Sequence, residues 1–125
     1  VSNETRVQIG EAIMVIIERD RMSGKTTMLL HYMVFHPSSI YIARKNDYAE
    51  RAFRLSQTLG LDLRRDRFVG ASSVVIAAGM SLLIDDADYL IKRHPQIGYS
   101  LLPYAIAITI SKSVTPVIRI NEHTV

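Results

Sequence analysis

The chain has no cysteine and no tryptophan, four prolines, and an aromatic content of only 7%. The missing thiols exclude a disulfide scaffold, a zinc ribbon and a cysteine nucleophile, and they suit a reducing compartment. No apolar run approaches the roughly 20 residues of a membrane span. The opening residues, VSNETRVQIGE, are polar, so no signal peptide is expected and the location is read as cytoplasmic. His31, His36, His94 and His123 show no metal-ligand spacing, and His31, on an apolar stretch, reads as packed. No serine sits in a nucleophile elbow.

What is present is enough for one globular domain. At 125 residues, 48% hydrophobic and 22% charged, residues 1–125 can enclose a core as a single unit. The formal charge is +3, and it is uneven. Between Tyr41 and Arg67 lie Arg44, Lys45, Arg51, Arg54, Arg64, Arg65 and Arg67, against Asp47, Glu50, Asp62 and Asp66. The rest of the chain balances. This stretch is either an ordinary solvated helix face or an edge that could face the phosphates of DNA. No interleaved aromatics support base stacking.

Short apolar runs alternate with helix-like segments. Ala12–Ile17 (AIMVII), Ile40–Ala43 (IYIA), Ser81–Ile84 (SLLI) and Ala105–Ile110 (AIAITI) read as strands buried in a parallel sheet. Val117–Ile120 reads as an edge strand opened by Pro116. Thr26–Phe35 reads as a buried helix stopped by Pro37. Asn46 or Asp47 could cap a helix running to Leu59 and ending at Gly60, with Ala49, Ala52, Phe53 and Leu59 on its apolar face. Asp88–Arg93 reads as helical, interrupted by Pro95. Residues 61–79 resist assignment; Val74–Ala78 fits a strand or a helical turn. The expected class is α/β, a three-layer sandwich around a mostly parallel sheet.

The sharpest local signal is Arg21-Met22-Ser23-Gly24-Lys25-Thr26-Thr27, after a strand and opening a helix. A glycine there lets backbone N–H groups turn inward around a phosphate. The helix start adds partial positive charge. Lys25 would reach the outer phosphates, and the Thr26 hydroxyl would ligate magnesium. Ser23, Gly24 and Thr27 complete the cradle. The full pattern wants a glycine five positions before Gly24, where Arg19 stands. The competing reading is a surface turn whose lysine meets only water.

About sixty residues later, Leu82-Leu83-Ile84-Asp85-Asp86-Ala87-Asp88 delivers adjacent carboxylates at a strand end. Ligands bind at that end of open α/β sheets. Asp85 suits a magnesium shell and Asp86 suits a water-positioning role. An acidic turn alone is common; the pairing with GKT gives it weight. Thr109-Ile110-Ser111-Lys112-Ser113 adds hydroxyls at a third strand end, either to sense a γ-phosphate or as a plain polar loop.

These residues resemble the ATPase lobe of viral DNA-packaging terminase large subunits and, more broadly, superfamily 2 helicases. Members of the terminase family often lack the first glycine and carry an arginine three residues before the GK pair, as Arg21 stands here. IDDAD is similar to the acidic strand of the family and echoes the helicase DEAD. Val69–Ser73 with Gly79-Met80 resembles the region before that strand, and Thr109–Ser111 falls where a coupling motif stands. The resemblance implies a minimal, single-lobe RecA-like P-loop fold of the additional-strand type; as a departure from the family, 125 residues leave a nuclease domain and a second helicase lobe unexpected. It implies ATP and Mg2+ as cofactors, and magnesium-dependent hydrolysis with Lys25, Asp86 and Arg21 catalytic. It also implies DNA handling in a virus-infected cell, a second protomer or larger motor closing the site, and an adenine-contacting region near Gln8. The family's catalytic base is a glutamate; Asp86 is shorter by about 1.5 Å. The alternatives are a catalytically weak or inactive module that regulates a motor or binds DNA, and an α/β domain whose motifs are accidental.

Overall fold

The computed structural model describes residues 3–9, 12–19, 24–111 and 123–124. In chain order the elements are β1 (Asn3–Ile9), β2 (Ala12–Arg19), α1 (Lys25–Phe35), β3 (Ser39–Ala43) and α2 (Asn46–Thr58). There follow β4 (Phe68–Gly70), β5 (Ser81–Ile84), α3 (Ala87–Arg93), α4 (Pro95–Leu101), β6 (Ala105–Ser111) and β7 (His123–Thr124). The strands form one sheet in the order β4-β3-β5-β6-β2-β1-β7. The five strands from β4 to β2 run parallel; β1 and β7 join antiparallel. The fold is thus α/β with a mostly parallel sheet.

Side chains alternate along β2, β3, β5 and β6, so each of these strands feeds two cores. Met14, Ile42, Leu82, Ile84, Ile108 and Ile110 pack with Leu90, Ile91 and Leu101 of α3 and α4. Val15, Ile17, Tyr41, Leu83 and Ala107 pack with Leu29, Leu30 and Met33 of α1 and Ala49 and Ala52 of α2. The layers are helix, sheet, helix. Complete burial of leucines such as Leu29, Leu30 and Leu83 stabilises the fold by about 1.5–3 kcal/mol each.

The four parallel strands expected from their apolar runs are present, and α1 ends before Pro37 as expected. Five points differ from the expectation. Residues 3–9 form β1, whose polar composition hides its pairing with β2. Neither Asn46 nor Asp47 caps α2 through its side chain; Lys45 holds the cap position, and the Asn46 carboxamide oxygen accepts from Gly70 N–H and Ser73 Oγ instead. Leu59 is exposed rather than part of the apolar face of α2. His31 is exposed on α1, because Leu29, Leu30 and Met33 take the inner face. Residues 74–78 belong to no strand or helix, and Val75 and Ile76 are exposed. Val117–Ile120 lies outside the described residues.

Two devices fix the segment that sequence patterning left open. Arg67 donates to the carbonyls of Met33, His36 and Ser39, tying the start of β4 to the end of α1. Gly70 then passes so close to α2 that a Cβ would stand 2.4 Å from Asn46 Oδ1 and 2.7 Å from Asn46 N. Gly70→Ala should therefore destabilise the protein by about 1–3 kcal/mol, read as a lower urea midpoint. A midpoint equal to that of the unaltered protein would show that the β4–α2 contact yields freely.

Candidate functional site

The parallel strands all end at one edge, and the polar motifs gather there. β6 lies between β2 and β5, with Ile17 in register with Thr109 and Arg19 with Ser111. On its other side, pairing shifts by one residue, from Leu82↔Ala105 to Leu83↔Ala107 and Ile84↔Ile108. That irregularity matters because a one-residue slip exchanges the faces of a strand. It brings Thr109, rather than Ile108, alongside Asp85.

Asp85 is 5% exposed and fully engaged. Its Oδ1 accepts from Thr109 Oγ1 at 2.5 Å, and its Oδ2 accepts from Thr26 Oγ1 and Tyr41 OH, both at 2.5 Å. One buried carboxylate thus collects hydroxyls from α1, β3 and β6. Among the described residues Thr109 alone serves Oδ1, and a buried acceptor left unpaired costs about 1–3 kcal/mol. Burial first, and then the Asp85 charge, push the Tyr41 phenol well above its ordinary range, so it stays a donor.

Asp86 adopts a left-handed backbone (φ 52°), the one non-glycine residue among those described to do so. Aspartate tolerates this turn better than most residues. The turn ends β5 and starts α3, and the Asp86 N–H donates to Thr109 Oγ1 at 2.9 Å. The Asp86 carboxylate accepts from Lys25 Nζ at 2.9 Å through Oδ1 and lies 3.6 Å from Arg44 Nη2 through Oδ2. Lys25, 8% exposed, also donates to Ser111 Oγ at 2.9 Å. Gly24 precedes α1 with φ 87°, a conformation that favours glycine and turns the backbone into the helix start.

Of the residues singled out from the sequence, Lys25, Thr26, Asp85 and Asp86 thus form one bonded cluster, and Thr109 and Ser111 join it. Gly24 and Thr27 line the same cleft of about 760 Å³. Arg21 and Ser23 lie outside the described residues. Gln8 sits on β1, in register with Ile13 and His123. Sequence reasoning did not anticipate Tyr41, Tyr48 and Tyr89, placed Arg44 only in the basic stretch, and gave Asp88 of the acidic motif no role. Asp88, also in the cleft, accepts weakly from Ser111 N–H (3.3 Å) and keeps Oδ1 buried with no partner among the described residues. The IDDAD spacing could have flagged it, since Asp88 falls in the first turn of α3. Tyr41, Tyr48 and Tyr89 carried no local signal.

No protein-family model, curated protein or solved structure matches this chain.

The basic stretch is not one free face. Arg54 and Arg65 both pair with Glu50, whose carboxyl is held below its usual range chiefly by the hydrogen bond from Arg65. Arg64 pairs with Asp66, Arg67 is spent on backbone carbonyls, and Arg44 lies in the cleft. Among the described residues, no group of three or more histidine, aspartate or glutamate side chains could hold a metal by itself. No described helix is long and apolar enough to cross a membrane.

Tyr41 supplies a pH test. Its folded-state pKa is raised, so its contribution is fully present below the unfolded value of about 10 and is lost as pH rises beyond it. Tyr41→Phe should cost about 1–3 kcal/mol near neutrality through the donor lost to Asp85. It should also flatten the fall in stability above pH 10, measured by urea unfolding. An alkaline slope identical to that of the unaltered protein would contradict the Tyr41–Asp85 contact.

Proposed function

We propose that this domain binds the phosphates of ATP with Mg2+ at the Gly24–Thr27 turn and hydrolyses the terminal phosphate. The reading extends to a RecA-like P-loop fold of the additional-strand type, the expectation raised by the terminase resemblance. One observation carries it. Lys25 and Thr26, successive residues of the turn, bond to Asp86 and Asp85, successive residues 61 and 59 positions away. Accidental motifs have no reason to converge pairwise. The interposition of β6 between β2 and β5, with Thr109 and Ser111 at its end, also supports it.

The donor chemistry fits magnesium. Thr26 Oγ1 and Asp85 Oδ2 are hard oxygens 2.5 Å apart at the cleft wall, and Mg2+ favours few carboxylates, retained waters and substrate phosphates. When bound, the ion would offset charge on the phosphoryl oxygens. Thr26 and Asp85 would hold it. Lys25 would neutralise the outer phosphates, exchanging Asp86 for a phosphate oxygen. Asp86, released from Lys25, would orient the attacking water, and Ser111 would keep the lysine aimed. Arg21 would add a second positive charge from the same chain, as the resemblance implies. DNA handling and assembly with a second protomer rest on the resemblance.

A second reading is favoured by the Lys25–Asp86 pair itself. Asp86 is short, is fixed in a left-handed turn, and is already bonded to the lysine. If it cannot reach a water, the domain binds nucleotide without turnover and acts as a regulatory module. Phosphate release from Mg–ATP separates the two. Hydrolysis should fall at least 100-fold, to order of magnitude, in Lys25→Ala, with the fold retained. Tight binding without release would favour the regulatory reading, and release unaffected by Lys25→Ala would overturn the site assignment.

A further inference from the structure

Arg44 stands at the end of β3 and is not part of the phosphate turn. Its guanidinium lies between two rings, 4.4 Å from the centroid of Tyr48 and 4.3 Å from that of Tyr89. Arg51 lies 4.9 Å from the outer course of the same stack at Tyr48, and Arg93 5.8 Å from Tyr89. Cations and rings therefore alternate from α2 across to α3. Such a slot fixes the plane of a guanidinium while leaving its edge donors free, which an ammonium could not reproduce.

Those donors are underused. Arg44 Nη2 is 3.6 Å from Asp86 Oδ2, too long for a hydrogen bond, and Arg44 Nε is buried with no partner among the described residues. Meanwhile the two oxygens of Asp86 face two different cations, Lys25 at one and Arg44 at the other. One carboxylate is spread between two positive groups inside a cleft that both line. A tetrahedral phosphoryl group has more oxygens than a carboxylate and matches the fork of an arginine.

We propose that Arg44 reads the terminal phosphoryl group of a nucleoside triphosphate and gives the site its preference for triphosphate over diphosphate. The proposal rests on the phosphate-site reading above and adds a residue to it. On binding, Lys25 and Arg44 exchange the shared carboxylate for phosphoryl oxygens, and the Tyr48–Tyr89 slot holds the guanidinium in place. A nucleoside diphosphate, reaching only to Lys25, leaves the Arg44–Asp86 contact as it is.

The test is calorimetric titration of the full chain with magnesium and either a non-hydrolysable ATP analogue or ADP. In Arg44→Gln, affinity for the analogue should fall about 10- to 100-fold while affinity for ADP stays within about twofold. The unchanged ADP affinity also reports an intact fold. Arg44→Lys should not restore the preference, because an ammonium lacks the planar fork. Tyr48→Leu and Tyr89→Leu, which remove one wall of the slot each, should reduce the preference in the same direction, and they carry the test if Arg44→Gln does not fold. Equal losses for analogue and ADP, or no loss for either, would overturn the role of Arg44 while leaving the phosphate site standing. Failure of the unaltered protein to bind either nucleotide would overturn the phosphate-site reading and this inference with it.

Discussion

A carboxylate buried away from water must be met by donors, and Asp85 is met by three hydroxyls from three elements. Thr26 arrives from the first turn of α1, Tyr41 from the middle of β3 and Thr109 from the end of β6. Each bond ties a separate part of the chain to the end of β5. The cost of an unmet charge in a poorly solvated position makes this arrangement mutually dependent. The rest of the edge follows from it: Thr109 also receives the Asp86 N–H, and Asp86 in its left-handed turn meets Lys25.

The strand pairing makes that gathering possible. A parallel sheet places all its strand ends at one edge, so residues far apart in sequence become neighbours there. The register shift between β5 and β6 decides which face of β6 those neighbours come from. With it, Ala107 and Thr109 share the face of Leu83 and Asp85, toward α1. Without it, Asp85 would stand beside an isoleucine. At this edge the one Asp86 carboxylate serves both Lys25 and Arg44. An anion entering that edge would compete with the Asp86 carboxylate for Lys25 and Arg44.

Much of this was legible in the sequence because it is local. AIMVII, IYIA, SLLI and AIAITI are short apolar runs bounded by polar turns, and each became a strand of the parallel core. GKT and IDDAD are local words whose placement after a strand gives them meaning. What escaped was encoded in pairing. Residues 3–9 form a strand only because β2 offers a partner, and Phe68–Gly70 is a strand of three residues. Asn46 looked like a helix cap, yet Gly70 offered its oxygen a better-placed donor. His31 sits amid apolar letters but points off the buried face of its helix. Tyr41, Arg44, Tyr48 and Tyr89 are scattered over β3, α2 and α3, and no periodicity or spacing unites them before the chain folds.

The central claim is that one edge of the sheet, built on Asp85 and Asp86, is an exchangeable anion site facing the Gly24–Thr27 turn. It is tested most directly by amide NMR of the full chain during titration with magnesium and a non-hydrolysable ATP analogue. The account predicts large shifts at Gly24, Lys25, Thr26, Asp86 and Ser111, with α4 and β4 unmoved. Shifts confined to residues away from that edge, or a spectrum that never changes, would contradict it.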